Sequence, residues 1–228
     1  MSLWEETLAW FAAPGSWVGS GSIVERLLEH VAITLGVLAV AAGIALPLGI
    51  VIGHRRTGGG FVVVLASGAR AIPTLGLLTV FGLALGIGLG APTLALVILA
   101  IPPMLAGAYS GIVATDPVTV DAARAIGLSA SQIVRGVEIP LALPVILGGL
   151  RSATLQVVAT ATLAAYTADA GLGRYIFAGL KGREYGELIG GSLLVVALAL
   201  ALDSVFAVIL RSRAFRSTST TAHNKRNS

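Results

Sequence analysis

Three ionisable side chains stand where few are tolerated: Arg70, Arg151 and Asp203 each lie inside a long apolar run. A charge at bilayer depth is costly, so each must find a partner, water or a cavity. At 1.5 Å per residue, Arg151 sits about eight residues, roughly 12 Å, into its run from the end nearest residues 116–140. Asp203 lies about seven residues from the matching end of the last run, and Arg70 about nine into its own. The three share nearly one height, so Asp203 is predicted to pair with Arg151 or Arg70. The chemistry is that of an ion pair fixing helix orientation. Contact with a transported solute is the alternative, although arginine is a poor direct partner for a cation. Both arginines also have stems long enough to snorkel towards headgroups.

Bond-making chemistry finds no support. A nucleotide-binding loop needs glycines followed by Lys-Ser or Lys-Thr at a helix start, whereas Gly58, Gly59 and Gly60 run into Phe61. Gly171 and Gly173 are too short a pair for a dinucleotide fingerprint and have no βαβ unit around them. His30, His54 and His223 sit at span boundaries or in the tail without metal-ligand spacing, and read as interfacial anchors. No Ser, His and Asp gather as a triad, and there is no cysteine to form a disulfide or thiolate site. The chain is therefore expected to be no enzyme and to hold no metal or cofactor of its own. Energy for any transport must come from a partner or a gradient.

One polar segment interrupts the apolar chain: VDAARAIGLSASQIVRGVEIPLALP, from Val120 to Pro144. Asp116 and Pro117 supply an N-cap and a first helical residue with no N–H to lose. A short helix should follow through about Ile126, with Gly127 ending it in the left-handed conformation. Ser129 with Gln132 three residues on predicts a capping box and a second helix. That helix carries Ile133, Val134 and Val137 on one face and is expected to stop before Pro140. Ala122, Ala123 and Gly127 are small enough for a partner surface to approach closely. The bland reading, an ordinary amphipathic connector, explains neither the caps nor their spacing.

The elements that must position these residues are membrane helices. The 228 residues are 56% hydrophobic and only 11% charged, with a mean hydropathy of +0.91; soluble domains carry about 25% charged residues. The net charge of +4 and pI near 10.0 do not indicate nucleic acid, because the basic residues are scattered at the ends of apolar runs. Five runs are long enough to span: residues 31–53, 61–89, 92–113, 143–166 and 188–210. The second is overlong unless tilted or broken near Pro73. Residues 1–30, with Trp4, Trp10, Phe11 and Trp17 beside acids, read as an external interfacial segment, and lack the basic start of a signal peptide. Residues 31–210 form the membrane domain with its loop at 114–140, and 211–228 a basic cytoplasmic tail without fixed structure. Of the 15 Lys and Arg, an outside N-terminus places nine inside and four outside, with Arg70 and Arg151 in spans. The positive-inside rule favours that orientation, which also puts the loop in the cytoplasm.

Glycines at Gly49/Gly53, Gly82/Gly86 and Gly86/Gly90 have the spacing of close helix packing. Pro47, Pro73, Pro102 and Pro103 lie inside runs, where a broken helix is tolerated against protein or a water-filled cavity. Pro73, Pro102 and Pro103 are therefore candidates for lining a pathway, as are Tyr109 and Tyr166, for which core packing is the competing reading. Phe81, Tyr109, Tyr166 and Phe206 are too dispersed for the aromatic cage that holds a quaternary ammonium.

The loop resembles the EAA loop of binding-protein-dependent ABC importer permeases: Asp121, Ala122, Ala123 for Glu-Ala-Ala, then Gly127, then Ile139 and Pro140. The strings AIPTLG from Ala71, YSGI from Tyr109, VEIP from Val137, GLRSAT from Gly149, ATLAAY from Ala161 and AGLG from Ala170 are similar to the osmoprotectant branch, the ProW- and ProZ-like permeases. The resemblance covers roughly residues 30–210. Two departures stand out: Asp121 is shorter than the usual Glu, and Asp169 replaces a glycine in the turn before Gly171. The resemblance implies an all-α integral membrane protein, a MetI-like bundle of five transmembrane helices with cytoplasmic coupling helices. It implies ATPase contact through Asp121, Ala122, Ala123, Gly127, Ser129, Gln132, Glu138 and Pro140. It further implies two ATPase subunits carrying ATP and Mg, a second permease subunit, an external substrate-binding protein, and a bacterial plasma-membrane location. Glycine betaine, choline, carnitine and proline are the expected solutes.

Within that class, methionine or another amino acid is the alternative solute, because the loop does not encode substrate. From another class, an ion-gradient-driven transporter or channel would need matching halves or a midplane acid, and neither is evident. A purely structural membrane partner leaves the capped loop unexplained.

Overall fold

Small residues set the centre of the molecule, because in lipid close backbone packing replaces the hydrophobic effect as the force between helices. The computed structural model describes residues 2–69 and 71–224, with side chains placed as far as 212. Three long helices form the core: α2 (Ile23–His54), α5 (Gly90–Val113) and α8 (Ile139–Ala161). Gly49 of α2 lies against Ala108 and the Leu105 carbonyl, where an added Cβ would come within 2.7 Å and 2.8 Å. Gly107 of α5 meets Gly149 of α8 backbone to backbone, and Gly111 meets Ala142. Val37, Ala41, Leu96, Ala100, Met104, Ala153 and Val157 fill the seam. The Gly49/Gly53 spacing is thus used for packing. The pairs through Gly86 are not, since Gly86 ends one helix and Gly90 begins another.

Around this trio are α1 (Leu3–Ala12), α3 (Gly59–Ala69), α4 (Thr74–Leu85), the loop helices α6 (Pro117–Ala125) and α7 (Ala130–Ile133), α9 (Gly173–Gly182) and α10 (Tyr185–Asn224). No strand occurs among the described residues. Among the described residues four helical segments are long and apolar enough to cross a membrane: Ile23–His54, Gly90–Val113, Ala130–Tyr166 and Tyr185–Ser212. The expected second span is instead two helices, α3 and α4, bent by 86°. Pro73 stands at the N-cap of α4, where it has no N–H to continue α3 and biases Ile72 away from helical angles. The first span starts earlier than expected, at Ile23. Helical backbone also runs to Asn224 through part of the tail expected to lack structure.

Pro47, Pro102 and Pro103 do not break their helices. At Pro103 the reason is visible. The carbonyl of Leu99, four residues back, loses its helical partner and accepts instead from the Gln156 side-chain amide at 3.1 Å. Pro140 also fails to end its helix. Beyond α7 the chain makes one π-helical turn, Val134–Glu138, with Ile139 N–H donating to the Val134 carbonyl. Pro140 then falls in the first turn of α8, where its missing N–H costs little. A 3-10 turn, Thr162–Tyr166, finishes the span.

At the far end from the loop, short segments lock together. The α1 capping box uses Ser2 and Glu5. Trp10 packs on Gly190 and meets Tyr175 edge to face at 5.1 Å. Arg26 donates to the Asp169 carbonyl at 2.6 Å and pairs with its carboxylate at 3.1 Å, while Arg174 holds the same carboxylate at 3.0 Å. Asp169, the departure from the family pattern, is thus an ion-pair hub. Gly171 N–H donates to Glu29 at 2.9 Å. His30, expected as an interfacial anchor, is fully buried. Its Nε2 donates to the Val158 carbonyl at 3.0 Å and its Nδ1 accepts from Leu172 N–H at 3.3 Å, a pairing that only one neutral tautomer satisfies. Tyr175 donates its hydroxyl to the Gly21 carbonyl at 2.7 Å, and burial pushes that phenol up to about 12.

Candidate functional site

The loop helices are built by local chemistry. Asp116 Oδ1 accepts Val118 N–H at 2.9 Å and Pro117 opens α6. At its end Gly127 takes φ +86°, Leu128 N–H donates to the Ala123 carbonyl at 3.2 Å, and Gly127 N–H to Arg124 at 2.9 Å. Those two bonds are a Schellman cap, a geometry that favours glycine. Open space surrounds the position, so it is φ rather than crowding that restricts it. Ser129 Oγ accepts Gln132 N–H at 3.4 Å and Gln132 Oε1 accepts Ser129 N–H at 2.8 Å, completing a capping box. Val120, Ala123 and Ile133, with Leu128 and Val137 beside them, form a small private core that fixes α6 on α7.

Two of the expected contact residues are buried in this chain. Ala123 lies in that small core, and Glu138 is only 2% exposed. The Glu138 carboxylate accepts from His54 Nδ1 at 2.7 Å, so Glu138 is closed to a partner while His54 is half-buried. Asp121, Ala122, Gly127, Ser129, Gln132 and Pro140 are exposed, and Asp121 is engaged by Arg124 at 3.0 Å one turn on. The largest exposed apolar groups of α6 and its C-cap are Val118 and Ile126, at 73% and 79%. With Ala122 they repeat every four residues and make one stripe. Sequence reasoning passed over them, although the spacing was there to find.

In the apolar layer Arg151 of α8 and Asp203 of α10 meet as a fork: Nε to Oδ1 at 2.6 Å and Nη2 to Oδ2 at 2.7 Å. Two parallel bonds fix the rotation of one helix against the other. Arg70, the other partner considered, lies outside the described residues.

The candidate pathway residues separate. Pro102 and Pro103 line a cavity of about 410 Å³ between α3, α5 and α8, together with Ala106, Gly107, Ser110, Gly148, Gly149, Ser152 and Gln156. Tyr109 does not face it; the ring packs on the core and abuts Gly59. Tyr166 lies in a separate groove of about 280 Å³ with Thr79, Gly82 and Thr167. Pro73 is exposed at the bend and lines neither. Among the described residues no three His, Asp or Glu side chains gather to hold a metal.

Against known proteins, a family model described as "Binding-protein-dependent transport system inner membrane component" matches residues 45–217. The choline transport system permease protein OpuBB of Bacillus subtilis (strain 168) is 34% identical over 84% of this chain and 88% of its own length. The glycine betaine/carnitine/choline transport system permease protein OpuCB of the same organism is 33% identical over the same shares. Among solved structures, the inward-facing MetNI methionine ABC transporter aligns with a TM-score of 0.73 at 24% identity, covering 84% of this chain and 95% of that one. That likeness concerns the fold.

Proposed function

This chain belongs to the binding-protein-dependent transport system inner membrane components, and from that membership we propose that it is one permease subunit of an ATP-driven importer of quaternary-amine osmoprotectants. The observation that carries the reading is the capped helix pair at 117–133, an exposed and stiff projection with an apolar stripe, on a chain whose relatives carry choline, glycine betaine and carnitine.

Two cytoplasmic ATPase subunits, holding ATP and Mg, dock on the stripe of Val118, Ala122 and Ile126. This chain binds neither nucleotide nor metal and hydrolyses nothing. A second permease subunit, identical or sibling, completes the pathway, and an external binding protein delivers the solute. The N-terminus lies outside the bacterial plasma membrane and the loop inside. Counting α3 and α4 as one broken crossing makes five spans. The cavity beside Pro102 and Pro103 is the share of the pathway that this subunit lines. Its lining, mostly glycine, alanine, serine and proline with Leu99, Val145 and Gln156, has no aromatic ring to form a cation cage, which suits a path that must release what it admits. Selectivity then resides in the binding protein.

The test is purification from its own cells, followed by reconstitution. An ATPase and a binding protein should co-purify, and proteoliposomes should take up choline, glycine betaine or carnitine with ATP. Uptake of methionine in preference to these, or uptake driven by an ion gradient without ATP, would overturn the reading.

A further inference from the structure

Both mouths of the 116–138 loop are held by the end of one helix that is not covalently next to it. α2 ends at His54, and Arg56 just beyond takes φ +52°, a left-handed conformation uncommon for a side chain of its size. From there Arg56 Nη2 donates to the carbonyl of Thr115 at 3.0 Å, immediately before the Asp116 cap. His54 Nδ1 donates to Glu138 at 2.7 Å, at the last residue of the π turn through which the loop rejoins α8. Gly53 makes the close approach possible: a Cβ there would come within 2.8 Å of Ile112 Cβ.

We propose that His54 and Arg56, with Glu138, are positioning residues that clasp the loop to α2, so that a push on the loop moves the first span together with α5 and α8. The inference rests on the reading of the loop as the ATPase-docking element. α5 and α8 are joined to the loop by the chain itself; α2 packs on α5 through Gly49 and Gly53, and its polar bonds to the two ends of the loop are made by these side chains. The π turn interrupts the α-helical ladder where the loop rejoins α8, and Glu138 closes it. The buried Glu138 carboxylate is tolerated there because His54 answers it.

The experiment uses the intact importer in proteoliposomes, with choline uptake and ATP hydrolysis measured in the same vesicles. His54→Ala should leave ATPase co-purification unchanged and hydrolysis within a factor of about two, while choline carried per ATP falls about five-fold or more. His54→Gln keeps a donor for Glu138 and should recover at least about half of the ratio. His54→Ala with Glu138→Ala should fall no further than either alone. Arg56→Gly, which accepts the left-handed backbone without the guanidinium, should lower the ratio by a smaller factor. An unchanged ratio in both His54→Ala and Arg56→Gly, with the complex intact, overturns the clasp. So does an equal loss in His54→Gln. If the unaltered chain binds no ATPase, it is the docking reading that fails, and the clasp with it.

Discussion

The two ends of α2 hold their neighbours in different ways. At the far end, Arg26, Glu29 and His30 grip the 169–172 turn largely through its backbone, with one buried imidazole bridging Val158 and Leu172. At the loop end, two side chains, His54 and Arg56, reach two points on either side of a helix pair with its own core. Many bonds to one turn make a fixed scaffold. Two bonds on either side of a helix pair with its own core hold that pair at two points only. The difference teaches where the attachment is vulnerable: many bonds share the hold on the far turn, whereas the hold on the loop rests on two side chains.

The sharpest way to break this contrast is Gly127→Val. A β-branched residue at φ +86° is strained by a few kcal/mol whatever space surrounds it. Solute-stimulated ATP hydrolysis should fall by about ten-fold or more, with membrane insertion unchanged. Undiminished transport would show that the loop need not be stiff. Next in size is the ion pair between the two ends. Arg151→Met or Asp203→Leu alone strands a charge in the apolar layer and should sharply reduce folded protein recovered from membranes. The two together should restore recovery, since an apolar pair of similar size often replaces a buried ion pair without loss. A double variant that folds but does not transport would move the pair from architecture to the solute path.

Smaller effects sharpen the far end. His30→Leu leaves the Val158 carbonyl and the Leu172 N–H without partners, a cost of about 2–4 kcal/mol, and should lower the melting temperature by roughly 5–10 °C. Uptake per ATP should not change in the protein that remains folded. Gln156→Leu exposes the Leu99 carbonyl freed by Pro103, and hydrogen bonds in membrane proteins average about 0.6 kcal/mol, so the melting shift should be only a few degrees. The smallest is the phenol of Tyr175. Its folded value, raised to about 12 from 10.0, means that its contribution is complete below pH 10 and is lost as pH rises through 12. Melting curves in detergent should show an alkaline decline over that window that is shallower in Tyr175→Phe.

What was legible in the sequence was local, or forced by the solvent. Asp116-Pro117, Gly127 and the Ser129–Gln132 box are recognisable because a cap is decided within four residues. Arg151 and Asp203 were found because the bilayer makes any charge conspicuous, and counting residues set them at one height. The burial of Glu138 was not legible, since His54, which answers it, is 84 residues away. Nor was the helix through Pro140, because a π turn follows no propensity and depends on what packs around it. The bend at Pro73 was anticipated, but not that it would leave two separate helices at 86°. The short helix α9 was missed for want of length.

Because α7, the π turn and α8 run on without a gap, the 37 residues from Ala130 to Tyr166 share one angular phase. Each residue added or removed between the loop and Arg151 turns everything beyond it by about 100°. A one-residue deletion at the π turn, which would restore an ordinary helical ladder, would therefore swing either the private core of the loop or the guanidinium of Arg151 to the wrong side. Length in this stretch is as tightly constrained as any side chain in it.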